Sequence, residues 1–176
     1  MEELNPYTAP QATTLPENAN ATDIRISYLR SEANLKACGV FSITIGAFVL
    51  VATINMVKNH LEETGGLYMG RAWVTALSPL AGGIGLCFLR RWGWFLAFAF
   101  YGVCAVADLF RLPRSAFTLL TEVIFLGCLL RSTTQKVMSK SYTAIRRATP
   151  EITSRVASWG WWTAGLYVLT VAILRS

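Results

Sequence analysis

The sequence predicts an all-α integral membrane protein, a bundle of five transmembrane helices with its N terminus inside. Three observations predict it: long stretches without charge, basic residues confined to short blocks between them, and tryptophans gathered at the ends of the apolar runs. Hydrophobic residues make up 53% of the chain and charged residues 15%, against about 25% charged in a soluble domain. The mean hydropathy is +0.43. The shortage of charge is concentrated in the apolar runs, as a lipid solvent requires.

Residues 1–22 carry three of the six prolines and almost no large apolar side chains. They cannot bury enough surface to offset the entropy of ordering, which predicts a disordered tail ahead of one helical membrane domain over 23–176. The first 23 residues carry Glu2, Glu3, Glu17 and Asp23 and no basic residue, the reverse of a signal peptide's basic start. Asn20-Ala21-Thr22 matches a glycosylation sequon, but a cytoplasmic tail would leave it unused. Asp23 is placed to cap a helix beginning near Ile24.

The spans follow from charge-free length. Residues 37–57 carry no charge and make about 31 Å of helix, matching the hydrocarbon core. Residues 72–89 form a second run, interrupted in composition by Pro79, Gly82, Gly83 and Gly85. Small residues there let membrane helices approach closely, with a bend at the proline. Residues 92–110 follow after only Arg90-Arg91, which predicts a tight helical hairpin. Residues 156–174 form the last run. The stretch 113–130 contains Arg114 and Glu122, leaving a four-span alternative in which it does not cross.

Charge asymmetry decides between them, because Lys and Arg prefer cytoplasmic loops. Five spans put Arg25, Arg30, Lys36, Arg90, Arg91, Arg131, Lys136, Lys140, Arg146, Arg147 and Arg155 inside, and Lys58, Arg71, Arg111, Arg114 and Arg175 outside. Four spans move the 111–155 segment outside and reverse the bias. The same arrangement sets Trp92, Trp94, Trp159, Trp161 and Trp162 at inner span ends and Trp73 at an outer one, an aromatic belt at the headgroup boundary.

The longest loop, 131–155, is cytoplasmic in this scheme. On a helix Met138, Tyr142 and Ile145 share a face while Lys136, Lys140 and Arg147 gather on another, a pattern suited to lying on an anionic membrane surface. Lys136, Lys140, Arg146 and Arg147 are the expected lipid-headgroup contacts. Thr149-Pro150-Glu151 reads as an N-cap followed by proline at the first helical position, starting the final helix before the membrane. The expected partners are the bilayer and anionic lipids, with a membrane-protein partner or a second copy of the chain as further candidates. Nucleic acid is not expected, since lipid accounts for the net charge of +6.

Catalytic signatures are sparse. No P-loop, GxGxxG, GxSxG or HExxH motif occurs, and no cofactor is expected. Cys38, Cys87, Cys104 and Cys128 are isolated in or beside apolar runs, as small packing residues are. His60 with Glu62 and Glu63 makes either a weak metal cluster or a solvated outer loop. Asp108, Arg111 and Arg114 read as an interfacial charge cluster. Glu122 is the one intramembrane ionisable residue, which by default raises a functional hypothesis. It fits a proton site facing a cavity, a carboxyl that locks two helices together, or a group paired with a nearby arginine. Thr118 and Thr121 stand one turn back and can share its face.

The opening Asn5-Pro6-Tyr7-Thr8-Ala9-Pro10 resembles the NPYxxP start of uncharacterised small multi-span membrane proteins of planctomycete-type bacteria. The segment Leu89-Arg90-Arg91-Trp92-Gly93-Trp94-Phe95-Leu96-Ala97 is similar to a turn in small bacterial multi-span proteins. The resemblance covers these two short motifs, implies a bacterial inner membrane, and carries over no catalytic or binding residue. The expected role is that of a non-enzymatic scaffold, assembly or regulatory subunit. The alternative is a small transporter or channel component, proton-coupled through Glu122.

Overall fold

Each apolar run is helical in the computed structural model of the chain, which describes residues 21–59, 66–112 and 115–175. The NPYxxP motif, Asn20 of the sequon, the His60-Glu62-Glu63 group and Arg114 lie outside the described residues. Seven helices follow in order, with no strand among the described residues: α1 (Ala21–Asn59), α2 (Gly66–Cys87), α3 (Arg91–Leu109), α4 (Ala116–Leu130), α5 (Ser132–Val137), α6 (Lys140–Ala148) and α7 (Ser158–Arg175). Two of them, α1 over Ala21–Lys58 and α3, are long and apolar enough to cross a membrane; the apolar part of α4, Thr118–Leu130, is shorter.

The long helix α1 organises the bundle. Its 39 residues extend about 58 Å at 1.5 Å per residue, so it projects well beyond its charge-free run. It starts at Ala21, slightly ahead of the expected cap, and Asp23 lies in its first turn, where a carboxylate complements the helix dipole. On one side α1 packs against α2, which packs against α3, which packs against α4; on another side it holds α7. The short α5 and α6 lie against its N-terminal half.

Small residues set the close contacts. A Cβ on Gly39 would lie 2.7 Å from the carbonyl oxygen of Gly83, and one on Gly46 would lie 2.7 Å from the nitrogen of Leu80. Gly160 on α7 meets Ala37 in the same way. Pro79 is buried inside α2, and its carbonyl accepts a hydrogen bond from Ser42 Oγ at 2.8 Å. Tyr101 of α3 donates to the same hydroxyl at 3.2 Å. One serine thereby links three helices at mid-bundle.

The turn between α2 and α3 has an unusual residue at its centre. Leu89 has φ +52°, a left-handed conformation normally left to glycine at the end of a helix. Leu89 N donates to Leu86 O at 2.9 Å and Arg90 N to Gly85 O at 2.7 Å, the paired bonds of a Schellman cap. A leucine there costs about 1–2 kcal/mol in backbone energy. Its side chain is buried in the main hydrophobic cluster with Leu35, Leu86, Val137 and Tyr142, which offsets that cost.

The stretch containing Glu122 runs the length of α3. Near the start of α3, Trp94 Nε1 donates to Leu129 O at 3.0 Å, at the end of α4. At the other end of α3, Thr118 donates to the Asp108 carboxylate and Ser115 Oγ to Asp108 O at 2.6 Å. The last carbonyls of α4 are met by side chains from α5: Thr134 Oγ1 reaches Cys128 O at 2.9 Å and Gln135 Nε2 reaches Leu130 O at 3.1 Å. Helix termini leave such carbonyls without an intrahelical partner.

Two expectations for the 131–155 loop need correction. The segment is two short helices broken at Met138-Ser139, because Ser139 Oγ accepts from Tyr142 N at 3.2 Å and caps a new helix. Val137, Met138 and Tyr142 are buried in the core cluster, with Ile145 packed beside it. The apolar stripe foreseen in the sequence therefore faces α1, so it is not free to lie on a membrane. Lys136, Lys140 and Arg147 are exposed, while Arg146 is half-buried. Thr149-Pro150 also ends α6 rather than starting the final helix, since Thr149 N donates to Ile145 O. The chain then runs irregularly until α7 begins at Ser158.

Candidate functional site

A polar centre lies where the N-terminal half of α1, the α2–α3 turn and the 149–154 segment meet. Arg25, Glu32 and Lys36 project from one stripe of α1, at spacings of seven and four residues. Glu32 is 1% exposed and Arg25 5%. Burying a charge is costly unless it is paired and hydrogen-bonded, and both conditions are met. Glu32 accepts from Tyr142 Oη and from Ser154 Oγ, each at 2.7 Å, and its Oε1 stands 3.6 Å from Arg25 Nε.

Arg25 Nη1 donates to Thr149 O, to Thr149 Oγ1 at 3.0 Å and to Arg146 O at 3.1 Å. The guanidinium thus caps the C-terminal carbonyls of α6, where a cation also complements the helix dipole. Lys36 Nζ donates to Ser154 O at 2.7 Å. Arg146 Nη1 reaches across to Leu89 O at 3.3 Å, the carbonyl of the strained turn residue. Three cations therefore tie three separate segments together. Tyr28 adds an edge-on ring contact with Tyr142 at 5.4 Å.

Burial, and then the hydrogen bond to Glu32, push the Tyr142 phenol well above its usual range. Burial lowers Arg146; Glu32 opposes that shift, while Arg25 and Arg90 add to it. An open cavity of about 380 Å³ adjoins the centre, lined by Arg25, Glu32, Lys36, Arg90, Arg146 and Ser154, with Phe88 and Ile152 among the apolar walls. Four cations face one carboxylate in it.

Glu122 lies elsewhere, half-buried on α4. Its Oε2 is buried without a hydrogen-bond partner. Thr118, expected to share its face, is engaged with Asp108 and with Ser115 O. Thr121 lines an apolar cavity of about 200 Å³ with Cys38, Phe41, Phe125, Cys128 and Trp159. The four cysteines are free thiols, and no group of three metal-ligating side chains occurs among the described residues. A cleft of about 600 Å³ at the far end includes Thr53, Arg71, Arg111 and Tyr167.

Sequence reasoning missed Glu32 as a centre. The stripe of Arg25, Glu32 and Lys36 was visible on α1, but the partners Tyr142 and Ser154 lie 110 and 122 residues away. The chain matches no protein family, no curated protein and no solved structure.

Proposed function

We propose that the chain is a multi-span protein of a bacterial inner membrane and serves as a non-enzymatic scaffold or regulatory subunit. The observation that carries this reading is an inside-out distribution of polarity. Glu32 and Arg25 are buried, whereas Val103, Leu166 and Trp162 are 72%, 65% and 79% exposed. A water-soluble monomer rarely exposes large contiguous apolar patches. A lipid-facing bundle does so over its whole girth, as the exposed apolar residues of α2, α3, α4 and α7 do here. The tryptophans at the starts of α3 and α7 suit the headgroup boundary.

The five-span arrangement draws support from the cavity, which gathers α1, the α2–α3 turn and the 149–154 segment at one end. Those are the basic segments that the charge rule assigns to the cytoplasm. A rigid polar centre fixing a basic surface at that end suits a docking platform better than a catalyst. A reporter active only in the cytoplasm is expected to work at the N terminus and within 131–155, and to fail after Ser176. Cytoplasmic activity after Ser176 would mean an even number of crossings.

One observation favours a second reading, a proton-coupled transporter or channel component: the unpartnered Glu122 Oε2. Buried polar atoms normally find a partner, and intramembrane carboxyls mark ion pathways. With the chain in liposomes holding a pH-sensitive dye, this reading expects dissipation of a proton gradient and its loss in Glu122→Gln. Equal flux in the two proteins, or none in either, leaves the scaffold reading. In that case Glu122→Gln is nearly silent in thermal stability.

A further inference from the structure

We infer that the cavity between α1, the α2–α3 turn and the 149–154 segment is a binding site for a phosphate-type oxyanion, either a lipid headgroup phosphate or a soluble phosphate ester. The inference goes beyond the scaffold role and does not require it. Charge is the first argument. Arg25, Lys36, Arg90 and Arg146 line the cavity with one carboxylate, Glu32. That carboxylate pairs with Arg25 and accepts from Tyr142 and Ser154, and against four cations it leaves the cavity net positive.

Donor capacity is the second. An ammonium has three N–H donors and a guanidinium five. Lys36 directs one bond at Ser154 O, and Arg146 one at Leu89 O. Both side chains are held in place by backbone carbonyls, which pre-organises their remaining donors. Arg25 is nine-tenths buried or more and its guanidinium is committed to Glu32, Thr149 and Arg146 O, so it contributes charge while Lys36 and Arg146 contribute donors. Charge-assisted bonds to phosphate oxygens are the strong ones, and guanidinium groups suit them best. Crowding is the third argument: Glu32 supports the charge on Arg146 while Arg25 and Arg90 act against it, and a bound anion adds to that support.

The size and rim narrow the class. A volume of about 380 Å³ falls in the range of small-ligand pockets and leaves room for a substituent on the phosphate. Phe88, 68% exposed, stands among the apolar walls beside the cations, the pairing that a phospholipid headgroup and the start of its chains would meet. The exposed Lys136, Lys140 and Arg147 then become secondary contacts, and Arg146 alone of that expected group faces the site.

The test uses the full chain purified in a non-ionic detergent, with thermal unfolding followed at constant ionic strength. One arm titrates inorganic phosphate against chloride. The other titrates short-chain phosphatidic acid against phosphatidylcholine of the same chain length. Saturable stabilisation is expected in at least one arm: phosphate alone identifies a soluble ligand, lipid alone a headgroup. Arg90→Gln and Lys36→Gln are each expected to weaken apparent affinity about fivefold, the effect of one basic group near an anion. Arg90 is exposed on the rim, so its variant keeps the fold, as unchanged far-UV circular dichroism would verify. Arg71→Gln with Arg111→Gln, in the opposite cleft, is expected to change nothing. Absence of saturation in both arms overturns the proposal, and so does undiminished affinity in Arg90→Gln and Lys36→Gln. Loss of affinity through Arg71 and Arg111 instead also overturns it. Each of these results leaves the topology experiment untouched.

Discussion

Glu32→Leu is expected to lower unfolding stability by about 3–5 kcal/mol, the cost of leaving a buried charge without its partner. Arg25 is 5% exposed, and without Glu32 it keeps only carbonyl and hydroxyl acceptors. Removing Glu32 also takes the acceptor from Tyr142 and Ser154. The double variant Arg25→Met with Glu32→Leu is expected to regain part of the loss, because a well-packed apolar pair can replace a buried ion pair. Recovery stays partial, since Arg25 also caps α6 through Thr149 and Arg146. Chemical denaturation in detergent measures the parent, Arg25→Met, Glu32→Leu and the double variant. Strict additivity of the two single effects would show that Arg25 and Glu32 are not coupled.

The alkaline limb of the stability curve reports on the same centre. Tyr142 holds its proton more tightly in the fold than the ordinary tyrosine pKa of 10.0 implies, through burial first and the Glu32 bond second. A group with a raised folded pKa contributes stability that is complete below its unfolded pKa and is lost as pH climbs beyond it. The Tyr142 contribution is therefore flat through neutral pH and fades only above about pH 10. Tyr142→Phe is expected to cost about 1–3 kcal/mol at neutral pH, leaving a Glu32 oxygen short of a donor, and to flatten that alkaline decline.

What the residues disclosed in advance follows from which interactions are local. Charge-free length announced the helices, and Arg90-Arg91 announced the hairpin, since both are properties of neighbouring residues. The stripe of Met138, Tyr142 and Ile145 read as a face for the membrane surface, and the fold turns it into the protein core instead. Amphipathicity states that a face is buried and not against what, so a protein core and a bilayer give the same pattern. Thr149-Pro150-Glu151 fits a helix start on local grounds, but Thr149 accepts from Arg25, 124 residues earlier, and the segment ends a helix instead. Glu122 drew notice because its neighbours are apolar. Glu32 did not, because it stands among other charges on the N-terminal part of α1 and its burial is created by a distant segment.

Gly85→Ala is expected to destabilise the bundle by about 1–3 kcal/mol or more, the range for overpacking a tight contact. A Cβ on Gly85 would fall on the Cα of Gly93 and lie 3.0 Å from its nitrogen. Both are backbone atoms of α3, so the two helices have to separate; no side chain can swing aside. Separation acts directly on the turn, whose cap includes the 2.7 Å bond from Arg90 N to Gly85 O. It also shifts Leu89, whose carbonyl receives Arg146, and so loosens the hold on the 131–155 segment. Gly102→Ala and Gly127→Ala supply the comparison, because a Cβ at either position meets nothing within 4 Å. Each is expected to be neutral or to stabilise by up to about 1 kcal/mol through helix propensity. Limited proteolysis is expected to cut within 131–155 faster in Gly85→Ala than in Gly127→Ala. Equal stability and equal cleavage in the two variants would mean that α2 and α3 are not in backbone contact at Gly85.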